Sequence, residues 1–189
     1  MVCPEAGACG NPNFETVLLL YHKKVYNLIY RLLGNSDEAA DLTQESFVKA
    51  YKAYKWFHGE PEAVYPWLCK IAVNGCKNKF KEMSRRRQHE ALSLDEPVGA
   101  EDSGLTLEPG DESMNPADMF ERHELESKIQ EAIQSLPPEF RVVVVLRDMQ
   151  GLSYREIVDS TEMTLETVKI RLFRGREMLR RRLSPYIRD

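Results

Sequence analysis

The chain has 189 residues, enough for two small helical domains with modest cores, and its 26 Lys and Arg against 30 Asp and Glu give a formal net charge of -4. Spread evenly, that charge would argue against a nucleic-acid partner, but it is sorted: carboxylates crowd Glu90 to Glu126, whereas Lys and Arg crowd Lys70 to Arg87 and Lys169 to Arg188. Cys3, Cys9, Cys69 and Cys76 lack paired C-x-x-C spacing and clustered histidines, so reduced thiols are expected rather than a metal site or disulfide framework, and with apolar runs far too short to span a bilayer the expectation is a cytoplasmic protein without membrane insertion.

Residues 1–12, with Pro4, Gly7, Gly10 and Pro12, have no periodicity and read as a loose arm. A module over 13–87 follows. Phe14, Val17, Leu18, Tyr21, Val25, Leu28, Ile29, Leu32 and Leu33 form one apolar stripe, and Gly34 predicts the end of that helix. Ser36, followed by Asp37 and Glu38, signals a second helix running to about Trp56, because carboxylates suit the positive end of the helix dipole. Ala39, Thr43, Ser46, Phe47, Ala50, Tyr51 and Tyr54 are its expected inner face, which leaves Asp41, Gln44, Glu45 and Val48 together outside as an acidic patch with an apolar centre.

The loop Phe57 to Pro66 is flanked by Trp56, Phe57, Tyr65 and Trp67, and a third helix is predicted from about Pro66, with Leu68, Ile71, Ala72 and Gly75 buried. Cys69 and Cys76, seven apart on it, read as small semi-buried residues. Lys70, Asn74, Lys77, Lys81 and Arg85 make a second stripe. A charged stripe is by itself often only a solvated face. Beside exposed aromatic rings, though, it has what single-stranded nucleic acid needs, since the cations hold the backbone and each stacked base contributes roughly 1–3 kcal/mol. The alternative is that Trp67 is core.

Residues 88–118 hold many carboxylates, Pro97, Gly99, Gly104, Pro109, Gly110 and Pro116, and no apolar stripe, which predicts a flexible acidic linker. The second module, 119–189, restarts a helix with Leu125, Ile129, Ala132, Ile133 and Leu136, ended by Pro137 and Pro138. Val142 to Leu146 suits either a buried strand or a buried helix; with no partner strand in the chain, the helix is expected.

Ser153 and Glu156 form the S-x-x-E capping pattern of a short helix, residues 162–164 read as a turn, and Thr164 can cap a long helix after it. Leu165, Val168, Leu172, Gly175, Leu179 and Leu183 are its expected buried face; Glu166, Lys169, Ile170, Phe173, Arg174 and Glu177 face outward, flanked by Arg171, Arg176, Arg180, Arg181 and Arg182. A short capped helix, a tight turn and a long basic helix are the parts of a helix-turn-helix that reads the major groove, against the simpler reading of a basic helix in an all-helical protein.

Taken together, these segments resemble an extracytoplasmic-function sigma factor of bacterial RNA polymerase over nearly the whole chain. DLTQESFVKAYKAYKWF (41–57) resembles the polymerase-binding helix of that family's region 2, PWLCKIAVNGCKNKF (66–80) its promoter-melting helix, and LPPEFRVVVVLRDMQGLSYREI with TVKIRLFRGREML its region 4. The resemblance implies an all-α, two-domain protein, not an enzyme, with no catalytic residue, cofactor or metal. Its implied partners are core RNA polymerase, promoter DNA and an anti-sigma factor. It implies that Asp41, Gln44, Glu45 and Val48 dock on the polymerase. Trp67 and Asn74, with the basic stripe of Lys70, Lys77 and Lys81, would open and hold the minus-10 element, and Lys169, Ile170, Arg171, Phe173 and Arg174 would read the minus-35 element. Ile170, where relatives often carry a small polar residue, and the loop GEPEAVY (59–65) depart from the family pattern.

Overall fold

The computed structural model describes residues 13–92 and 116–186; the N-terminal arm at 1–12 and most of the expected linker, 93–115, lie outside the described residues. Asn13 opens α1 (Phe14–Leu33), and Gly34 closes it in the left-handed region at φ 81°, its N–H donating to the Tyr30 carbonyl at 2.8 Å. Glycine takes that conformation without a Cβ clash. The next helix, α2 (Ser36–Tyr54), is capped by Asn35 rather than Ser36: the Asn35 side chain accepts from the Glu38 N–H at 2.9 Å. After a single 3-10 turn, Pro61–Ala63, α3 runs from Val64 to Leu92.

The first three helices bury most of the expected stripes, with two shifts. The line Ala39, Leu42 and Thr43, Ser46 and Phe47, Ala50 faces the core, so Tyr51, one step of about 100° further round the helix, is turned outward. Leu18 on α1 is exposed for the same reason, with Val17 taking the buried position. On α3, Val64, Leu68, Cys69, Ala72, Val73, Gly75 and Cys76 are all buried, more than one face of a helix can hold.

The helices on either side of the expected linker extend into it, α3 running on to Leu92 and α4 (Pro116–Gln134) starting at Pro116. Arg, Gln and Glu sustain a helix on intrinsic propensity without an apolar stripe, which is why a stripe-based reading stopped short there. Leu125, expected inside α4, is exposed, whereas Ala132, Ile133 and Leu136 are buried. Val142 to Leu146 is helical, as expected: α5 (Pro138–Val144) passes into a π turn, Val145–Met149, in which the Gln150 N–H donates to the Val145 carbonyl. Every residue from 141 to 146 is buried. Then α6 (Tyr154–Thr161) and α7 (Leu165–Leu183) complete the module, α7 lying so close to α5 that a Cβ on Gly175 would sit 2.6 Å from a Val144 methyl.

The modules are packed together rather than held only by a tether. α3 lies against α1 and α2 on one side and α6 on the other, and α1 also meets α4, α5 and the π turn. One core cluster runs through both modules, from Val17 and Leu28 to Ile157 and Leu172.

Candidate nucleic-acid interface

The helix-turn-helix is built by short-range hydrogen bonds. Ser153 caps α6 in a full capping box: the Glu156 carboxylate accepts from the Ser153 N–H at 2.6 Å and the Ser153 hydroxyl from the Glu156 N–H at 3.3 Å. Such reciprocal caps satisfy two otherwise open donors and fix where the helix starts. Glu162 then turns the chain in the left-handed region at φ 61°, and the Thr164 hydroxyl accepts from the Thr167 N–H to open α7.

On α7 the buried line is Val168, Leu172 and Gly175, with Leu179 and Leu183 half-buried and Leu165 exposed at the N-terminal end. The outward face carries Lys169, Ile170, Phe173 and Arg174, of which Ile170 is 53% and Phe173 75% exposed. Two large apolar groups kept in water beside cations are costly unless something covers them, and a thymine methyl next to base-edge acceptors is a suitable cover. Arg171 is half-buried and turns toward the Met163 sulfur at 3.3 Å. Arg176 is held by Asp148, whose carboxylate accepts from its Nε at 2.9 Å and raises its pKa. Of the flanking arginines, Arg176 is therefore engaged by its own module and Arg181 by Glu177, at 3.1 Å.

On α2, Asp41, Gln44 and Glu45 are exposed and Val48 is 54% exposed, so the four share one open face. Tyr51, 67% exposed and edge-on to the Phe14 ring at 5.3 Å, extends that face by another turn. Sequence periodicity alone had put it inside. Only the rotation of α2 against α1 and α3 moves it out.

The α3 site is split. Trp67 is half-buried, its ring 5.0 Å from that of Phe57 and 6.1 Å from that of Tyr54, so it is partly core and partly open. Asn74 and Lys81 are exposed. Lys70 and Lys77, expected on the same open stripe, are instead half-buried against α6: Lys77 Nζ donates to the Thr161 carbonyl at 2.9 Å, and Lys70 Nζ stands 3.5 Å from the Glu162 carboxylate. Burial lowers the Lys77 pKa, with the Glu162 carboxylate pulling the other way. Between the modules beside Trp67 lies a cleft of about 420 Å³, to which Glu60 and Glu62 contribute from the loop and Glu156 and Asp159 from α6.

Cys69 and Cys76 are fully buried rather than semi-buried, and burial pushes each thiol up to about 12. Such thiols carry almost no thiolate at neutral pH and are poor nucleophiles. Among the described residues no group of three or more His, Cys, Asp or Glu is arranged to hold a metal ion, and no helix is long and apolar enough to cross a membrane.

Family models match both modules: Sigma-70 region 2 over residues 18–87 and Sigma-70 region 4 over residues 126–179. The chain is 35% identical over 180 residues to the RNA polymerase sigma-H factor of Pseudomonas aeruginosa, covering 93% of this chain and 89% of that one. It is 34% identical over 175 residues to the ECF RNA polymerase sigma-E factor of Escherichia coli, covering 93% and 88%. In fold it is similar to the sigma factor RpoE of Bartonella quintana, solved in complex with the anti-sigma factor NepR, with a TM-score of 0.65, 23% identity and coverage of 90% and 96%. It is also similar in fold to CnrH, solved in complex with the cytosolic domain of CnrY, with a TM-score of 0.59, 17% identity and coverage of 91% and 88%. Matched along both modules in the expected order, the chain belongs to the extracytoplasmic-function sigma factors and directs RNA polymerase to initiate transcription at specific promoters.

Proposed function

We propose that the chain works in the cytoplasm as an initiation factor with no chemistry of its own, through three separate surfaces. A module over 13–87 docks core polymerase with Asp41, Gln44, Glu45 and Val48, and holds the opened minus-10 strand with Trp67, Lys70, Asn74, Lys77 and Lys81. A linker over 88–118 joins it to a module over 119–189, in which Lys169, Ile170, Arg171, Phe173 and Arg174 read the minus-35 element. Strand opening draws on binding energy, each flipped base being captured at a cost of a few kcal/mol. An anti-sigma factor is a further partner, a reading supported by the Bartonella quintana neighbour having been solved with one.

The observation that carries this assignment is the outward face of α7, where Ile170 and Phe173 remain in water among Lys169 and Arg174. Adding the protein to purified core polymerase and sequencing transcripts from genomic DNA tests it, and also yields the promoter motif. Transcripts without a shared upstream motif would overturn it. In the same assay Arg174→Ala should relax selectivity at one position of the minus-35 element, at a cost of about 1–3 kcal/mol, whereas Arg180→Ala should weaken all promoters alike. Identical motif profiles for the two variants would mean that base and phosphate contacts are wrongly divided.

A further inference from the structure

Not all the cations of the second module belong to the outward face of α7. Arg182 follows Phe173 by nine residues, which at about 100° per residue places it about half a turn round the helix, on the side where α4 packs. There the ends of α4 and α7 leave a cleft of about 390 Å³, within the size range of small-molecule sites. Lys128 and Glu131 line it from α4, Arg181 and Arg182 from the last turn of α7, and Tyr186 from the turn beyond, with the buried Ala132 among its walls.

Cations in the last turn of a helix are favoured by its dipole, which accounts for the arginines of α7 without any ligand. It does not account for the rest of the cleft. Tyr186 is 54% exposed, and the half-buried Lys128 holds its Nζ 6.0 Å from the centre of that ring, so an aromatic surface is kept open among cations. Neighbouring carboxylates leave much of the positive charge uncompensated. Lys128 stands 3.7 Å from Glu131, Arg181 gives its Nε to Glu177 at 3.1 Å, and Arg182 has no ion pair among the described residues.

We propose that this cleft binds a nucleoside polyphosphate, its phosphates on Lys128, Arg181 and Arg182 and its base against Tyr186. Each part of the cleft has a counterpart in that class of ligand. Guanidinium and ammonium groups hold phosphate oxygens through charge-assisted hydrogen bonds, and an aromatic ring stacks on any base. The Glu131 carboxylate is an acceptor for the amino group that most bases carry. An acidic peptide would leave the ring and Glu131 without a role. A DNA duplex on the outward face of α7 lies about half a turn away from Arg182.

Isothermal titration calorimetry on the full-length chain tests the site with ATP, inorganic triphosphate and adenosine, in EDTA so that no metal ion carries the phosphates. ATP should bind at one site, triphosphate about tenfold more weakly for want of the stacked base, and adenosine not measurably. Tyr186→Ala should lower the affinity for ATP to that for triphosphate and leave triphosphate binding unchanged. Lys128→Gln combined with Arg182→Gln should abolish binding of both; if that variant loses its helical circular dichroism, Arg182→Gln alone should weaken both by about tenfold. Absence of saturable ATP binding overturns the proposal. Equal affinity of the wild-type chain for ATP and triphosphate, or an unchanged ATP affinity in Tyr186→Ala, also overturns it, since charge alone would then explain the binding.

Competition with DNA is the second readout. A chain saturated with a promoter duplex, of a sequence recovered by transcript sequencing, should bind ATP within about threefold of the free chain, because Arg182 faces away from the groove. Expulsion of ATP by the duplex would show that these cations serve the DNA backbone, and the proposal would fall. Only this arm uses the minus-35 assignment. If transcripts share no upstream motif, that assignment fails while the calorimetry still decides the cleft.

Discussion

Arg141 is the residue whose role is least visible in its neighbourhood along the chain. It is buried, with one guanidinium nitrogen donating to the Leu32 carbonyl and the Gln134 side chain, both at 2.6 Å, and the other to the carbonyls of Gln134 at 2.6 Å and Leu136 at 3.0 Å. These are the open carbonyls at the ends of α1 and α4, which no intrahelical N–H can reach. The two terminal nitrogens of the planar fork serve both ends at once while the buried Nε has no partner among the described residues, and the cation lies 5.7 Å from the Phe80 ring. Burial lowers the Arg141 pKa, yet an arginine stays charged at any working pH. Truncation to Arg141→Ala would orphan several buried acceptors, each costing about 1–3 kcal/mol, so a loss of at least about 3 kcal/mol is expected in urea unfolding. A loss under about 1 kcal/mol would mean that water takes over these acceptors without penalty.

At the scale of the element, α2 and α7 divide their faces differently from α3. On α2 one side is core and the opposite side, Asp41, Gln44, Glu45 and Val48, touches no other helix strongly enough to be covered. Glu45 pairs with Lys49, at 3.3 Å and in the open. Exposed i,i+4 pairs contribute about 0.3–0.5 kcal/mol, so Asp41→Lys with Glu45→Lys should leave the midpoint of unfolding nearly unchanged. The same double variant should lose most of its retention of core polymerase in a pull-down, and full retention would remove this face from the docking assignment. The helix α3, in contrast, is packed by α1, α2 and α6, yet Asn74, Asn78, Lys81 and Arg85 stay exposed along it.

Across the whole molecule, a flexible linker of about 30 residues would leave the two modules about 30 Å apart on average if nothing else held them. The shared core holds them together instead. Trp56 and Trp67 both lie in the first module, so tryptophan fluorescence reports on that module while far-ultraviolet circular dichroism reports on all the helices. With the core shared, Leu28→Ala, which removes a fully buried side chain at a cost of about 2–5 kcal/mol, should shift both signals to the same lower denaturant midpoint. A shift of the fluorescence transition alone would show that each module unfolds independently.

The division between sequence and tertiary structure follows the range of the forces involved. Helix periodicity, the Ser153–Glu156 capping box, the Gly34 stop and the outward face of α7 are legible along the chain, because each depends on residues within a turn or two of one another. The family could be read for the same reason, as its motifs are contiguous segments. What periodicity could not give is which of two apolar or charged stripes a second helix would cover. Tyr51 faces out because of how α2 is rotated on its neighbours, and Lys70 and Lys77 are half-buried because α6 packs on α3 where they stand. Lys77 and Thr161 are 84 residues apart, and Arg141 and Leu32 are 109 apart. No local pattern encodes such pairs, and the packing of one module on the other alone decides them.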